Sequence, residues 1–158
     1  MFQAGDKIAH PMHGAGVIDS IEEKKVNGVV RSYYVLKLPV GGMMVMIPTE
    51  NCEEIGVRPI IDKVEGDKVI AAFGEIAVEM DNNWNRRYRE NMERLKSGNL
   101  LEVARVVKGL MLRDVNRGLS NGERKMLHSA KQILISELVL SQCCSYEEIE
   151  MRINLALA

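Results

Sequence analysis

The 158-residue chain is poor in cysteine, has no long apolar run and has no excess of charge of either sign. The three cysteines, Cys52, Cys143 and Cys144, are odd in number and two are adjacent, so they form neither a disulfide framework nor a C-x-x-C metal half-site. That usage fits a reducing cytoplasm. No run of about 18 apolar residues is present, which argues against a membrane-spanning helix, and the start MFQAGDKIAH lacks the basic-then-apolar form of a secretory signal. Lys and Arg number 21 against 22 Asp and Glu, so a globally basic nucleic-acid binder is excluded, as is a disordered polyelectrolyte. Catalytic motifs are missing too. His10, His13 and Cys52 have no H-x-x-x-H, G-x-S-x-G or phosphate-loop pattern around them, and the Gly14-Ala15-Gly16 turn lacks a third glycine and a following helix. Neither an enzyme nor a cofactor or metal site is expected.

What is present is 46% hydrophobic residues, enough to bury about two thirds of the unfolded surface in one or two cores. The neutral charge total hides a polarised layout. Residues 1–60 carry 6 basic and 7 acidic groups and residues 61–83 carry 2 and 6, whereas residues 84–133 carry 12 and 5 and residues 134–158 carry 1 and 4. A basic field of that density in the middle of the chain attracts phosphate, while the acidic flanks limit nonspecific adhesion.

Two architectures share the chain, giving an α+β fold class. Residues 1–58 hold four short runs rich in β-branched or long apolar side chains: Lys7–His10, Gly16–Ile21, Tyr33–Leu38 and Met43–Pro48. Pro11 to Gly14, Asn27-Gly28 and Gly41-Gly42 supply the turns between them. The expectation is a small, strongly bent antiparallel β-barrel of SH3-like or Tudor-like type, which binds partners through an exposed face or edge strand. On the last run, alternation puts Met44 and Met46 on one side and Met43 and Val45 on the other.

From Pro59 onward the period is helical, and residues 59–158 are expected to form a bundle of about five helices. Leu100, Val103, Ala104, Val107, Leu110 and Met111 fall on one helix face, and Met126, Leu127, Ala130, Ile133, Leu134 and Leu138 on another. Ser120-Asn121-Gly122-Glu123 and Ser145-Tyr146-Glu147-Glu148 have the capping-box form that starts a helix, and Gly98 and Gly118 suit helix ends. An earlier helix is expected to start near Asp67, and the acidic stretch from Ile60 to Asp81 fits either unit.

The most informative segment is Asp81 to Lys96. It starts a helix with the only tryptophan, and at 100° per residue Trp84, Tyr88, Met92 and Leu95 form one stripe while Arg86, Arg87 and Arg94 spread over the remaining surface. Two readings stand side by side. Trp84 is either a core anchor or hydrophobic staple, or a ring projecting from a helix N-terminus among arginines, suited to a phosphate backbone and to wedging against an unstacked base step. Arg113, Arg117, Arg124, Lys125 and Lys131, near the loop at Gly118, are further phosphate candidates, each with a solvated surface as its plain alternative.

The sequence resembles the CarD/CdnL group of bacterial transcription regulators, which bind RNA polymerase. The likeness spans essentially the whole chain. It is carried by Phe2-x-x-Gly5-Asp6, His10-Pro11-x-His13-Gly14, Tyr34-Val35-Leu36-Lys37, Val45-Met46-Ile47-Pro48-x-Glu50-Asn51 and Gly56-Val57-Arg58. In the second half it is carried by Asn83-Trp84-x-Arg86-Arg87-Tyr88, Leu95-x-Ser97-Gly98, Arg117-Gly118-Leu119-Ser120-x-Gly122-Glu123 and Met126-Leu127-x-x-Ala130-x-Gln132-Ile133-Leu134. The resemblance implies a Tudor-like domain over residues 1–58 that docks on the polymerase β subunit. It implies a helical DNA-binding domain over residues 59–158 that meets promoter DNA without catalysis. By the same resemblance Trp84 wedges into the minor groove at the upstream edge of the melted region, and Arg86, Arg87, Arg89, Arg124 and the neighbouring Lys125 hold the DNA backbone. The polymerase contact is implied near Lys24 and at Met44, Val45, Met46 and Ile47. Some members have an arginine where this chain has Met46, so the corresponding ion pair to polymerase is absent, and either the barrel's methionines supply apolar contact in its place or the polymerase differs at the matching position. The resulting expectation is a monomeric cytoplasmic regulator that stabilises the open complex. Its competitor is an adaptor of RNA polymerase without direct DNA contact, with Trp84 in the core.

Overall fold

A computed structural model describes residues 1–39 and 41–157. The first part is an antiparallel sheet of β1 (Lys7–His10), β2 (Gly14–Val26), β3 (Val29–Lys37), β4 (Met44–Pro48) and β5 (Arg58–Pro59), with the short helix α1 (Cys52–Ile55) between the last two strands. The strand order is β4-β3-β2-β1-β5. This corrects the expectation of a closed barrel: among the described residues no ladder joins β4 to β5, and the sheet is open. The cause is local. β5 has two residues, one of them Pro59 with no N–H to offer, and it pairs only with β1.

β2 and β3 are longer than their apolar runs. Asn27 and Gly28 both have positive φ (53° and 81°), which closes a two-residue hairpin turn and brings Val26 opposite Val29 and Lys24 opposite Arg31. The result is a ribbon of exposed charged and valine residues reaching past the end of β4, whose last ladder position is Pro48 opposite Tyr33. Ile8, Ile18, Tyr34, Leu36, Ile47, Cys52 and Val57 close the sheet's core, with Phe2 edge-on to the Tyr34 ring. Cys52 is therefore packed among apolar side chains. The His10 and His13 rings lie 4.5 Å apart, and His10 Nδ1 accepts the Met12 N–H at 3.0 Å. Burial, then the neighbouring His13, pushes the His10 imidazole below its ordinary value.

Five helices follow: α2 (Lys63–Glu75), α3 (Trp84–Lys96), α4 (Leu100–Arg117), α5 (Asn121–Gln142) and α6 (Tyr146–Leu157). The first starts earlier than Asp67 because Asp62 is its cap, accepting the Glu65 N–H at 2.8 Å. The helices starting after Ser120 and Ser145 begin where expected, each serine accepting the N–H three residues on at 3.2 Å. α4 is buried on more than one face. Lys108 on it donates to the carbonyls of Gly74 and Ile76 (3.1 and 2.8 Å), closing the C-terminal end of α2 with a cation. The extended segment after α2 then crosses α4 at Gly109, where a side chain would collide with Met80 and Val78. α2 packs on α6, α4 and α5, while the Ile60 N–H just before it still donates to the Lys7 carbonyl of β1 at 3.3 Å. Their shared core contains Val69, Phe73, Val107, Leu110, Leu134, Ile149 and Ile153.

Sheet and helices meet along a seam on α5. Gly14, at φ 88°, sits against Ile133 and Ser136, the Ala15 N–H donates to Ser136 Oγ at 2.9 Å, and Arg58 forks onto Glu137 (2.7 and 2.9 Å). Glu137 is 1% exposed and also accepts the Ile61 N–H at 2.9 Å, so one carboxylate ties β5, the following segment and α5.

Candidate nucleic-acid interface

The N-terminal ends of α3 and α5 converge, and the expected site is built on that junction. Asn83 caps α3, its side chain accepting the Arg86 N–H at 3.1 Å, so Trp84 occupies the first helical position. The indole is 42% exposed, which removes it from the core-anchor reading. Its ring stacks on Tyr88 (centroids 5.0 Å apart, planes 18° apart), has its Cζ2 edge beside Gly122, and donates its Nε1–H to Ser120 Oγ at 3.0 Å.

The stripe on α3 differs in phase from the apolar pattern. The buried positions are Arg87, Asn91 and Leu95, and Trp84, Tyr88 and Met92 form a half-exposed shoulder beside them. Two grooves flank this shoulder, both lined by Tyr88 and Met92. One is lined also by Arg89, Glu93 and Lys96, and the other, of about 220 Å³, by Lys125. An aromatic ridge therefore lies between two grooves, with Arg89, Glu93 and Lys96 along one and Lys125 along the other.

Arg87 has a different place from the one implied for it. Only 3% exposed, it forks onto Glu123 (2.7 and 3.1 Å) and donates its remaining Nη1 to the carbonyls of Asp81 and Asn82 (3.0 and 3.2 Å). Its donors are spent inside the protein, so it positions the start of α3 and does not reach a DNA backbone. The hydrogen bond to Arg87 holds the Glu123 carboxyl below its usual range against the opposing effect of burial, and the same bond raises Arg87. The capping box at Ser120 is thus used in half: Ser120 caps the helix, while Glu123 turns to Arg87.

Arg86 is largely exposed, 3.9 Å from Asp81, and Arg124 is exposed, 3.7 Å from Asp114. Arg89, Lys125 and Arg117 are exposed. Lys131 instead reaches Glu150 on α6 at 3.8 Å, and Arg113 is partly buried with its Nε unpartnered among the described residues. The second implied site splits in the same way. On β4, Met44 is 49% exposed and Met46 half-buried, whereas Ile47 is 1% exposed and Val45 packs against the sheet's core. Ile47 therefore shapes the strand from within and presents no contact surface. Lys24 is exposed on the β2–β3 ribbon, beyond the end of β4.

Ser120, Gly122 and Glu123 are parts of the junction that sequence reasoning did not assign to it, whereas Tyr88 was placed on the Trp84 stripe. Their sequence signal was the second capping role of Ser120 and Glu123, which gives no hint of a partner on α3. Among the described residues no group of three or more His, Cys, Asp or Glu side chains is arranged to hold a metal, and no helix is long and apolar enough to cross a membrane.

Residues 2–61 match the family described as CarD-like/TRCF RID domain, and residues 68–154 match CarD, C-terminal domain. The chain is 36% identical over 150 residues to the Bacillus subtilis (strain 168) protein named "Putative transcription factor YdeB", covering 95% of this chain and 98% of that protein.

Proposed function

The chain belongs to the CarD family of transcription regulators, and from that premise we propose that it binds the RNA polymerase β subunit and stabilises the promoter open complex. In this reading residues 1–58 are the polymerase-interacting unit, an opened Tudor-like sheet, and residues 59–158 are the DNA-binding unit. The free edge of β4, with Met44 and Met46, offers backbone pairing and apolar contact to polymerase, and Lys24 on the ribbon adds a cation. Trp84 enters the minor groove at the upstream edge of the bubble, and Arg86, Arg89, Arg124 and Lys125 hold phosphates on either side. The protein acts as a cytoplasmic monomer.

The observation that carries this reading is the 42% exposure of the sole tryptophan on a ridge edged by Arg89 and Lys125. Together with the half-exposed Tyr88 and Met92 the ring forms a contiguous apolar patch bordered by charged side chains, the kind of surface that marks an interaction site. That exposure also weighs against the adaptor with Trp84 in its core. The contacts read no base pattern, so DNA recognition is largely independent of sequence and falls steeply with salt. Little affinity is needed, because attachment to polymerase supplies a high local concentration at the promoter. A preference of about 1.4 kcal/mol for open over closed complexes shifts the equilibrium tenfold.

The test is the lifetime of open complexes formed by cognate polymerase. Wild-type protein lengthens it, while Trp84→Ala binds polymerase, keeps its helical circular dichroism and loses about tenfold of the effect. Unfolding free energy changes by only about 1 kcal/mol, the scale of one half-exposed stacked aromatic. A wild-type protein that binds polymerase and leaves the lifetime unchanged contradicts the proposal.

A further inference from the structure

An indole that is 42% exposed has little packing to fix it, yet Trp84 is held from three directions. Tyr88 covers one face, Gly122 lies beside the Cζ2 edge of the ring, and Ser120 Oγ receives the indole N–H. Ser120 is the only one of the three that acts through a directional bond.

Its hydroxyl is fully used. Oγ accepts from Trp84 Nε1 at 3.0 Å and from the Glu123 N–H at 3.2 Å, and the hydroxyl proton points to Glu123 Oε1 at 3.4 Å. Glu123 in turn is forked onto Arg87, whose guanidinium holds the carbonyls that precede α3. A continuous path of hydrogen bonds therefore runs from the indole, through the start of α5, back to the start of the helix that carries the indole. A loop of that kind fixes the ring's rotamer relative to both helix N-termini.

We propose that Ser120 is the positioning residue for Trp84, holding the exposed indole in one orientation before it meets DNA, in addition to capping α5. The inference rests on the wedge reading of Trp84 given above. A ring already in its working orientation loses less freedom on insertion, so the gain appears as a longer-lived complex. The N–H is spent on Ser120, so the ring enters as an apolar plate without reading a base edge, in keeping with contact that is indifferent to sequence.

The experiment compares wild type with Ser120→Gly, Ser120→Thr, Ser145→Gly and Trp84→Ala. Glycine is tolerated at a helix N-cap, so Ser120→Gly removes the acceptor for the indole while sparing much of the cap. Threonine restores the hydroxyl, and Ser145→Gly removes the equivalent cap at α6, away from Trp84. The single tryptophan gives one indole N–H resonance in 15N-labelled protein, and its exchange with water is read directly.

Ser120→Gly is expected to speed that exchange and to shorten the open-complex lifetime about two- to tenfold, the range of one neutral hydrogen bond. Ser120→Thr and Ser145→Gly keep the wild-type lifetime. If Trp84→Ala shortens the lifetime and folded Ser120→Gly does not, the positioning role is overturned and the wedge stands. It is equally overturned if Ser120→Thr, folded, fails as Ser120→Gly does, or if Ser145→Gly shortens the lifetime as much. If Trp84→Ala has no effect, the wedge reading itself fails and this inference with it.

Discussion

Glu123→Ala is expected to lower the unfolding free energy by about 3–5 kcal/mol, or about 6–20 °C in midpoint temperature for a chain of this size. The reason is what the substitution leaves behind. Arg87 is 3% exposed and two of its donors lose their acceptor, so a cation stays buried with only backbone carbonyls to meet it. The double substitution Arg87→Met with Glu123→Leu removes both charges and recovers much of that loss, since apolar residues of similar volume often replace a buried pair at little cost. Thermal and urea unfolding of the three variants measure this. The pair also shapes acid stability. The folded-state carboxyl of Glu123 lies below the ordinary value of about 4.5, so its contribution is complete above that value and fades as pH falls through the lower folded one. Glu123→Ala therefore flattens the stability curve below about pH 4.5, and Arg87 adds nothing there because it stays protonated throughout.

Gly14→Ala should have a comparable effect from a different cause. The residue sits at φ 88°, where an L side chain costs about 1–2 kcal/mol, and its added methyl group would lie 2.5 Å from Ser136 Oγ and 3.3 Å from Ile133 Cα. Overpacking of that kind costs about 1–3 kcal/mol, giving a combined loss of about 2–5 kcal/mol. The strain is focused on the seam between sheet and α5, where the Ala15 N–H must also keep its bond to Ser136. Denaturant unfolding reads the loss. Adding Ser136→Ala relieves the clash but leaves that buried N–H unpaired, so the double variant stays less stable than wild type.

These two residues mark the boundary of what was legible in the sequence. Elements set by nearby residues were readable: the caps at Ser120 and Ser145, the ends at Gly98 and Gly118, and the hairpin at Asn27-Gly28 act within a few positions of themselves. The length of the hairpin was not read, because Glu22 to Lys25 have no apolar alternation, although a two-residue turn with both φ positive requires pairing to continue up to Val26 and Val29. Closure of the barrel failed because β5 is only Arg58–Pro59 and pairs with β1 alone, a brevity that the apolar pattern does not announce.

In the interface, Trp84, Arg86, Arg89, Arg124 and Lys125 lie on the surface as expected. Arg87 and Ile47 do not. The fork from Arg87 to Glu123 spans 36 residues and that from Arg58 to Glu137 spans 79, and no local pattern announces an ion pair across such distances. Helical phase on α3 was misread because Trp84, Tyr88 and Met92 mark an apolar stripe beside the buried one, whose Arg87 and Asn91 carry no apolar signal, and only the distant Glu123 carboxylate accounts for an arginine lying inside.

Contact between position 84 and promoter DNA separates a wedge from an adaptor. The most direct measurement places a photoactivatable benzoylphenylalanine at position 84, irradiates the complex with cognate polymerase and promoter, and maps the crosslinked nucleotide, with the 82% exposed Val115 of α4 as control position. The expected result is a crosslink from position 84 to DNA at the upstream edge of the bubble, present in open complexes, weaker before melting and absent from position 115. A crosslink from position 84 to polymerase or to the protein's own core, with none to DNA, would contradict it.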